Sequence, residues 1–500
     1  MREDEQKSGT VPMRPKVLHR FYEPLILLKA LNVEMKDPVE FVDSENEGSR
    51  RDPEKNFQAF VYKLAHVCDS VKGNQGGTIT SVMVLEPHFA ESDVVEYRFA
   101  SNDRTDNEAK GISNFVLSLL GHLRTAMFPN DEPAVRVRLL RHVLEFNRHR
   151  IASYLTAILA AVKSSLAKCL AADDDEDNTI ATLLRRLLAL LEFNWEKYAS
   201  KTEYIDGCVA LLRELIPLQR SNSSVGKWIR RRAREVRGNR LQSSSSCWPE
   251  MWHMVNRLVS YAQDVEFFIL AKKEWPELFE NYRVRFVPSS VAIPGPTRPK
   301  SMQAEGIVGR MTSKEKEIKV FRDFVRDLQL TGLDARIKTE YTKNTFWPIV
   351  HSEVLLLDDL EKSGPITPER FFHGWMYIGS SKPLCRLCQY YFEEHRSGVE
   401  HRKSHRNLYT SWRMPDVLTS QGTEGQERRQ LMVNRMTERV RRDAFDLIRK
   451  RAQPAYRNHD SFTSSMKVTL PSLTSDVASQ IGSLALEDSE DSEGGATLEG

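Results

Sequence analysis

Cysteine is scarce in this chain: six in 500 residues, at 68, 169, 208, 247, 385 and 388. So few thiols make no disulfide framework, and a reducing intracellular compartment, cytoplasmic or nuclear, is expected. Four of the six stand alone in helix-like surroundings, where cysteine packs as a small hydrophobe. Long apolar runs are missing too. The most apolar stretch, Ile151 to Leu170, is broken by Lys163 and Lys168, so no uninterrupted membrane span is expected. Met1 is followed by Arg2, Glu3, Asp4 and Glu5, the wrong opening for a secretory signal. Neither sign of charge dominates: 72 Lys and Arg against 69 Asp and Glu leave a net charge of +3. Any attraction to nucleic acid must therefore come from a local patch. No motif recurs at a fixed period, so no named repeat is assigned.

What is present describes a soluble globular protein, 40% hydrophobic and 28% charged. Its length exceeds one ordinary core, which predicts two domains with tails. Residues 1–50 read as a poorly ordered segment, although Phe21 to Leu31 is apolar enough to pack on something. Residues 51–290 read as a mainly helical domain. Asp52-Pro53 supplies cap and first-turn chemistry for a helix with Phe57, Phe60, Leu64, Val67 and Val71 on one face. Ile79, Val82 and Val84 suggest a short strand, and Glu96 to Phe99 a second. Beyond them amphipathic stripes follow one another, such as Phe115, Leu119, Leu120 and Leu123, then Val135, Leu139, Val143 and Phe146. Such stripes bury against each other as a bundle.

A basic insertion at 221–247 interrupts these helices. Arg230, Arg231, Arg232 and Arg234 form its centre, and serines flank it on both sides. It reads either as a phosphate-binding or nuclear-import arm or as a solvated loop. Pro294-Gly295-Pro296 marks a linker over 291–311. Residues 312–453 form the second domain, and the acidic, Ser-rich 454–500 is expected to be disordered. In the second domain a helix precedes the alternation Ala335, Ile337, Thr339, Tyr341, which predicts a half-buried strand. Thr345 to Val350 reads as a second strand. A helix from His351, a strand from Trp375, a helix from Cys385 and a strand from Asn407 to Trp412 follow. Arg428 to Arg451 is a charged helix.

The chemistry concentrates in two short motifs, His351-Ser352-Glu353 and Cys385-Arg386-Leu387-Cys388. Zinc takes thiolate and imidazole, and a catalytic zinc keeps one position open for water, whose pKa falls to about 7. Cys385 and Cys388 on the first turn of a helix can both reach one ion, and His351 can supply a third donor. Residues two apart on a regular helix point to opposite faces, so His351 must precede the regular helix if Glu353 is to share the site. The spacing Cys385-x-x-Cys388, twelve residues, then His401-x-x-x-His405 also fits a two-Cys two-His finger. That reading finds a large apolar helix residue replaced by Gly398 and leaves His351-Ser352-Glu353 without a reason.

The segment from about Thr312 to Pro415 resembles the cytidine-deaminase-like superfamily, in particular a fungal deaminase-like family. The resemblance rests on His351-Ser352-Glu353, on Ile378-Gly379-Ser380-Ser381-Lys382 before the Cys pair, and on His405-x-Asn407-x-Tyr409-x-x-Trp412 after it. It implies an α+β protein whose helical N-terminal region is followed by a three-layer α/β/α domain. It also implies Zn2+ held by His351, Cys385 and Cys388, with Glu353 as proton shuttle. The implied activity is hydrolytic deamination of a nucleobase in a nucleotide, RNA or DNA. One departure is Pro383-Leu384-Cys385, with a residue between Pro and Cys where most deaminases have none. The competing class is a non-catalytic zinc protein whose helical domain binds a protein partner.

Overall fold

Asp52 caps a helix as its sequence predicts: its carboxylate accepts from the Lys55 amide, and Pro53 takes the first helical position. Ser200 caps a later helix in the same way, its hydroxyl accepting from the Glu203 amide at 3.3 Å. The computed structural model describes residues 9–32, 52–71, 76–86, 94–171, 175–192, 200–220, 222–238, 247–296, 302–329 and 332–450. The predicted tail at 454–500 lies outside them.

In chain order the elements begin with β1 (Thr10–Val11), α1 (Pro15–Asn32), α2 (Pro53–Cys68), β2 (Thr80–Leu85) and β3 (Val95–Ser101). There follow α3 (Asp106–Arg124), α4 (Glu132–Phe146), α5 (Arg148–Leu170), α6 (Asp175–Leu191), α7 (Lys201–Leu215), α8 (Ser224–Gly238) and α9 (Cys247–Glu274). Then come β4 (Tyr282–Val287), α10 (Ala304–Met311), α11 (Glu315–Gln329), α12 (Leu333–Thr342) and α13 (Ser352–Lys362). The last are β5 (Tyr377–Ser380), α14 (Arg386–His395), β6 (Glu400–His401), β7 (Val417–Leu418) and α15 (Gly422–Lys450). The class is α+β, with a helical N-terminal region and a mixed sheet, as expected.

The chain divides into two compact units, each discontinuous in sequence. One comprises 47–74, 111–282 and 463–500 and is helical among its described residues. Its long helix α9 packs on α2, α4, α5 and α8. Phe60 meets Phe268 edge-on at 6.1 Å, and Phe57 meets Trp275 at 5.8 Å. Asp264, fully enclosed, pairs with Lys63 at 3.1 Å and lies 2.6 Å from His66 Nδ1, the partnering under which a buried carboxylate is tolerated. The basic stretch, read from the sequence either as an arm or as a loop, is helix α8 over 224–238.

The other unit comprises 1–46, 75–110 and 283–462. Its five-stranded sheet has the order β4-β3-β2-β5-β6. Strands β2 and β3, assigned from the sequence to the helical domain, pair antiparallel with each other and through β2 with β5, Ser81 opposite Ser380. β5 and β6 are parallel. Every residue of β2 and β3 is buried, so both faces of this pair are covered, as a layered α/β/α arrangement requires. Helix α13 lies on β2, β3 and β5. Helix α1, within the segment expected to be poorly ordered, contributes Leu25, Ile26, Leu27 and Leu28 to the core at 0% exposure. It packs against α12 and α15.

Three strand expectations in this unit are corrected. Residues 333–342 are helix α12, not a strand: Leu333, Ile337, Glu340 and Tyr341 are buried at helical spacing, while Ala335 and Thr339 are exposed. Thr345 to Val350 and Asn407 to Trp412 are irregular chain, joined by a single parallel bridge between Ile349 and Trp412. Short tertiary braces replace ladders there, so neither segment needed strand propensity.

Candidate metal centre

His351 is the N-cap of α13, in extended conformation at φ −72°, ψ 150°. It therefore stands outside the regular helix, as the His-x-Glu spacing requires. The preceding chain is fixed on three sides. The Ile349 amide donates to the Ser411 carbonyl at 3.1 Å, and the Arg413 amide donates to the Ile349 carbonyl at 2.9 Å. The Val350 amide donates to Ser290 Oγ at 2.8 Å. Cys385 is the N-cap of α14, and its sulfur accepts from the Cys388 amide at 3.4 Å. Backbone amides at a helix N-terminus favour thiolate there. The Cys loop is braced from 404–407: Ser404 Oγ and the His405 amide both donate to the Leu384 carbonyl, at 2.9 and 3.0 Å.

These two helix starts bring the three donors together. His351 Nδ1 lies 3.5 Å from Cys385 Sγ and 3.3 Å from Cys388 Sγ, and the sulfurs are 3.5 Å apart. Among the described residues, His351, Cys385 and Cys388 form a group that could hold a metal ion. Tetrahedral zinc, with bonds of about 2.3 Å to sulfur and about 2.0 Å to nitrogen, keeps its donors about 3.5–3.8 Å apart. The donor set and its spacing fit zinc.

Glu353 joins the group without belonging to it. Its Oε2 is 3.8 Å from Cys388 Sγ, and its Oε1 accepts from Ser380 Oγ at 3.1 Å. It is 3% exposed. Ser380 ends β5, so the sheet supplies the hydroxyl that aims this carboxylate. Sequence reading quoted Ser380 within a motif but gave it no role.

The site's charges follow from its burial. Burial pushes the Glu353 carboxyl above the ordinary carboxylate range, against the pull of His351. Burial also opposes charge on His351, yet the Cys385 thiolate and its hydrogen bond raise the imidazole above its usual value. Cys385 resists burial through the Cys388 hydrogen bond and the His351 charge, and ends well below an ordinary thiol. Burial and the adjacent Cys385 sulfur push Cys388 well above one. Mutual contact thus shifts the two buried thiols in opposite directions, Cys385 toward thiolate and Cys388 toward thiol.

The finger arrangement is not formed. Cys385 and Cys388 start a helix rather than sit in a hairpin, and His401 and His405 are not in the group. His401 Nδ1 lies 2.8 Å from the Arg402 carbonyl, and buried His405 accepts the Asn407 amide at 3.0 Å. The arginines of the basic stretch are spread around α8: Arg230 lies over the Trp252 ring and Arg232 over Trp228, at 5.6 and 5.0 Å. Arg231 is exposed, and Arg234 has no described side chain.

No described helix is long and apolar enough to cross a membrane. A family model described as OTT_1508_deam-like deaminase matches residues 350–416. That span holds His351, Glu353, Cys385 and Cys388 together with the bracing segment after them. No curated protein and no solved structure matches the chain in the corresponding comparisons. Over residues 350–416 this chain is therefore similar to a deaminase, and the matched segment carries a His/Cys/Cys group able to hold a metal.

Proposed function

We propose that the protein is a zinc-dependent hydrolytic deaminase of the cytidine-deaminase-like kind, acting on a nucleobase in a nucleotide or nucleic acid. The observation that carries this reading is a buried, unligated carboxylate beside a three-donor group: Glu353 3.8 Å from Cys388 Sγ. A structural metal has no use for such a carboxylate, whereas hydrolytic deamination needs a proton carrier there.

When bound, zinc would supply a Lewis acid that makes water nucleophilic at neutral pH. His351, Cys385 and Cys388 would hold it. Glu353 would carry the two protons of the attacking water in turn, the first to the ring nitrogen beside the reacting carbon and the second to the exocyclic nitrogen. The C–N bond then breaks, ammonia leaves and the oxygen stays as the carbonyl. Burial keeps this carboxyl out of bulk water, where a general acid–base group can exchange a proton with a bound base. Ser380 would keep Oε1 fixed while Oε2 exchanges the proton. His351 lies 6.5 Å, ring to ring, from the half-buried Tyr409, an aromatic face beside the donor group.

The test is a deamination screen of zinc-loaded and chelated protein over cytosine- and adenine-containing nucleosides, nucleotides and single-stranded oligonucleotides. Metal-dependent ammonia release from one of these supports the reading. A protein that holds zinc yet releases none across the screen would favour the non-catalytic alternative.

A further inference from the structure

We infer that Asn102 is a positioning residue for the metal centre, acting as the missing N-terminal cap of helix α13. This rests on the metal reading above and extends the working site beyond the matched segment 350–416. A helix leaves its first amides without intrahelical partners, and the N-cap side chain usually satisfies one of them. Here the N-cap is His351, and its side chain makes no capping bond. Its ring points at the two sulfurs instead. The cap comes from elsewhere: Asn102 Oδ1 accepts the Ser352 amide at 2.7 Å, from 250 residues away in sequence.

Asn102 is itself held for this task. It is 3% exposed and follows directly on β3. Its amide donates to the Ile79 carbonyl at 3.1 Å, and its Nδ2 donates to the Gly76 carbonyl at 3.0 Å. The Nδ2 bond fixes which end of the side-chain amide faces α13. A second contact from the same hairpin reinforces it, since Ser81 Oγ and Ser352 Oγ are 2.7 Å apart. Ser81 also stands opposite Ser380, the residue bonded to Glu353. The β2–β3 hairpin thus sets both the start of α13 and the strand that aims the carboxylate. Shifting the Ser352 amide would turn the adjoining His351 away from the sulfurs.

Variants of the full chain test this, with zinc affinity read by chelator competition and Ser352 amide exchange read on metal-free protein. Asn102→Ala removes the acceptor; it should weaken zinc binding about 10–100-fold, as loss of supporting partners around a metal does. Ser352 exchange should accelerate at least about tenfold while the circular dichroism spectrum is kept. Asn102→Asp keeps an acceptor at the helix start but loses the Nδ2 donor to the Gly76 carbonyl; its zinc affinity and Ser352 protection should lie between those of the parent and of Asn102→Ala. Parental affinity in a folded Asn102→Ala protein overturns the proposal. If that variant does not fold, Asn102→Ser decides, since its shorter side chain withdraws the acceptor while staying polar, and parental zinc affinity with parental Ser352 protection overturns the proposal. If the parent chain takes up no zinc, the metal reading fails separately. Ser352 exchange then still decides whether Asn102 is the cap.

Discussion

Ser380 Oγ donates to Glu353 Oε1 at 3.1 Å inside a fully enclosed pair. The bond favours the ionised carboxylate, whereas burial, the larger effect, favours the acid. Removing the hydroxyl takes away one of the contacts that oppose burial, so the Glu353 pKa rises further. Since the carboxylate form must accept the proton of water, the acid limb of the rate profile should move up. A hydrogen bond to a charged group is worth about 1.5–3 kcal/mol, which corresponds to a shift of about one to two pH units. The kcat–pH profile of Ser380→Ala checks this. An unmoved limb would show that Ser380 does not tune the proton carrier.

Glu353→Gln removes the proton carrier while keeping size and the bond from Ser380. Turnover should fall by about two to four powers of ten. Zinc content should be unchanged, because the three donors are untouched. Parental turnover in this variant would assign the proton transfer to another group.

The candidate donor group was legible in the sequence because His351, Cys385 and Cys388 sit in short motifs at helix starts, where local rules hold. Pairing was not legible. β2 joins β5 across a chain separation that places Ser81 opposite Ser380, and nothing in either segment names its partner. The same distance hid Asn102, whose role exists only once the hairpin meets α13. Residues 333–342 failed for a different reason. Ala335, Ile337, Thr339 and Tyr341 alternate, but Leu333, Ile337 and Tyr341 also recur at four-residue steps, and packing on α1 selected the helical period.

Zinc affinity should rise with pH through the neutral range. His351 is raised above the ordinary imidazole range and Cys388 above the thiol range. Both shifts hold protons that must leave before these groups can bind metal, whereas the Cys385 shift favours the thiolate. Binding should therefore release protons. Calorimetry in buffers of different ionisation enthalpy measures the number. No release, together with a pH-independent affinity between 6 and 8 on the order of the instrument's scatter, would contradict this charge pattern.

Leu28 on α1 is fully enclosed in the core of the sheet-containing unit. Leu28→Ala should cost about 2–5 kcal/mol through lost burial and the cavity left behind. Denaturant unfolding followed by circular dichroism measures it. A loss below about 0.5 kcal/mol, the size of an ordinary surface effect, would show that α1 is not part of this core.

The central claim is that His351, Cys385 and Cys388 hold one zinc. It is tested most directly by the zinc content of the purified chain beside three variants, His351→Ala, Cys388→Ala and the double His401→Ala/His405→Ala. The account predicts about one zinc per chain in the parent and the double variant. Zinc should be largely lost in the His351 and Cys388 variants. Full zinc in His351→Ala with loss in His401→Ala/His405→Ala would contradict it.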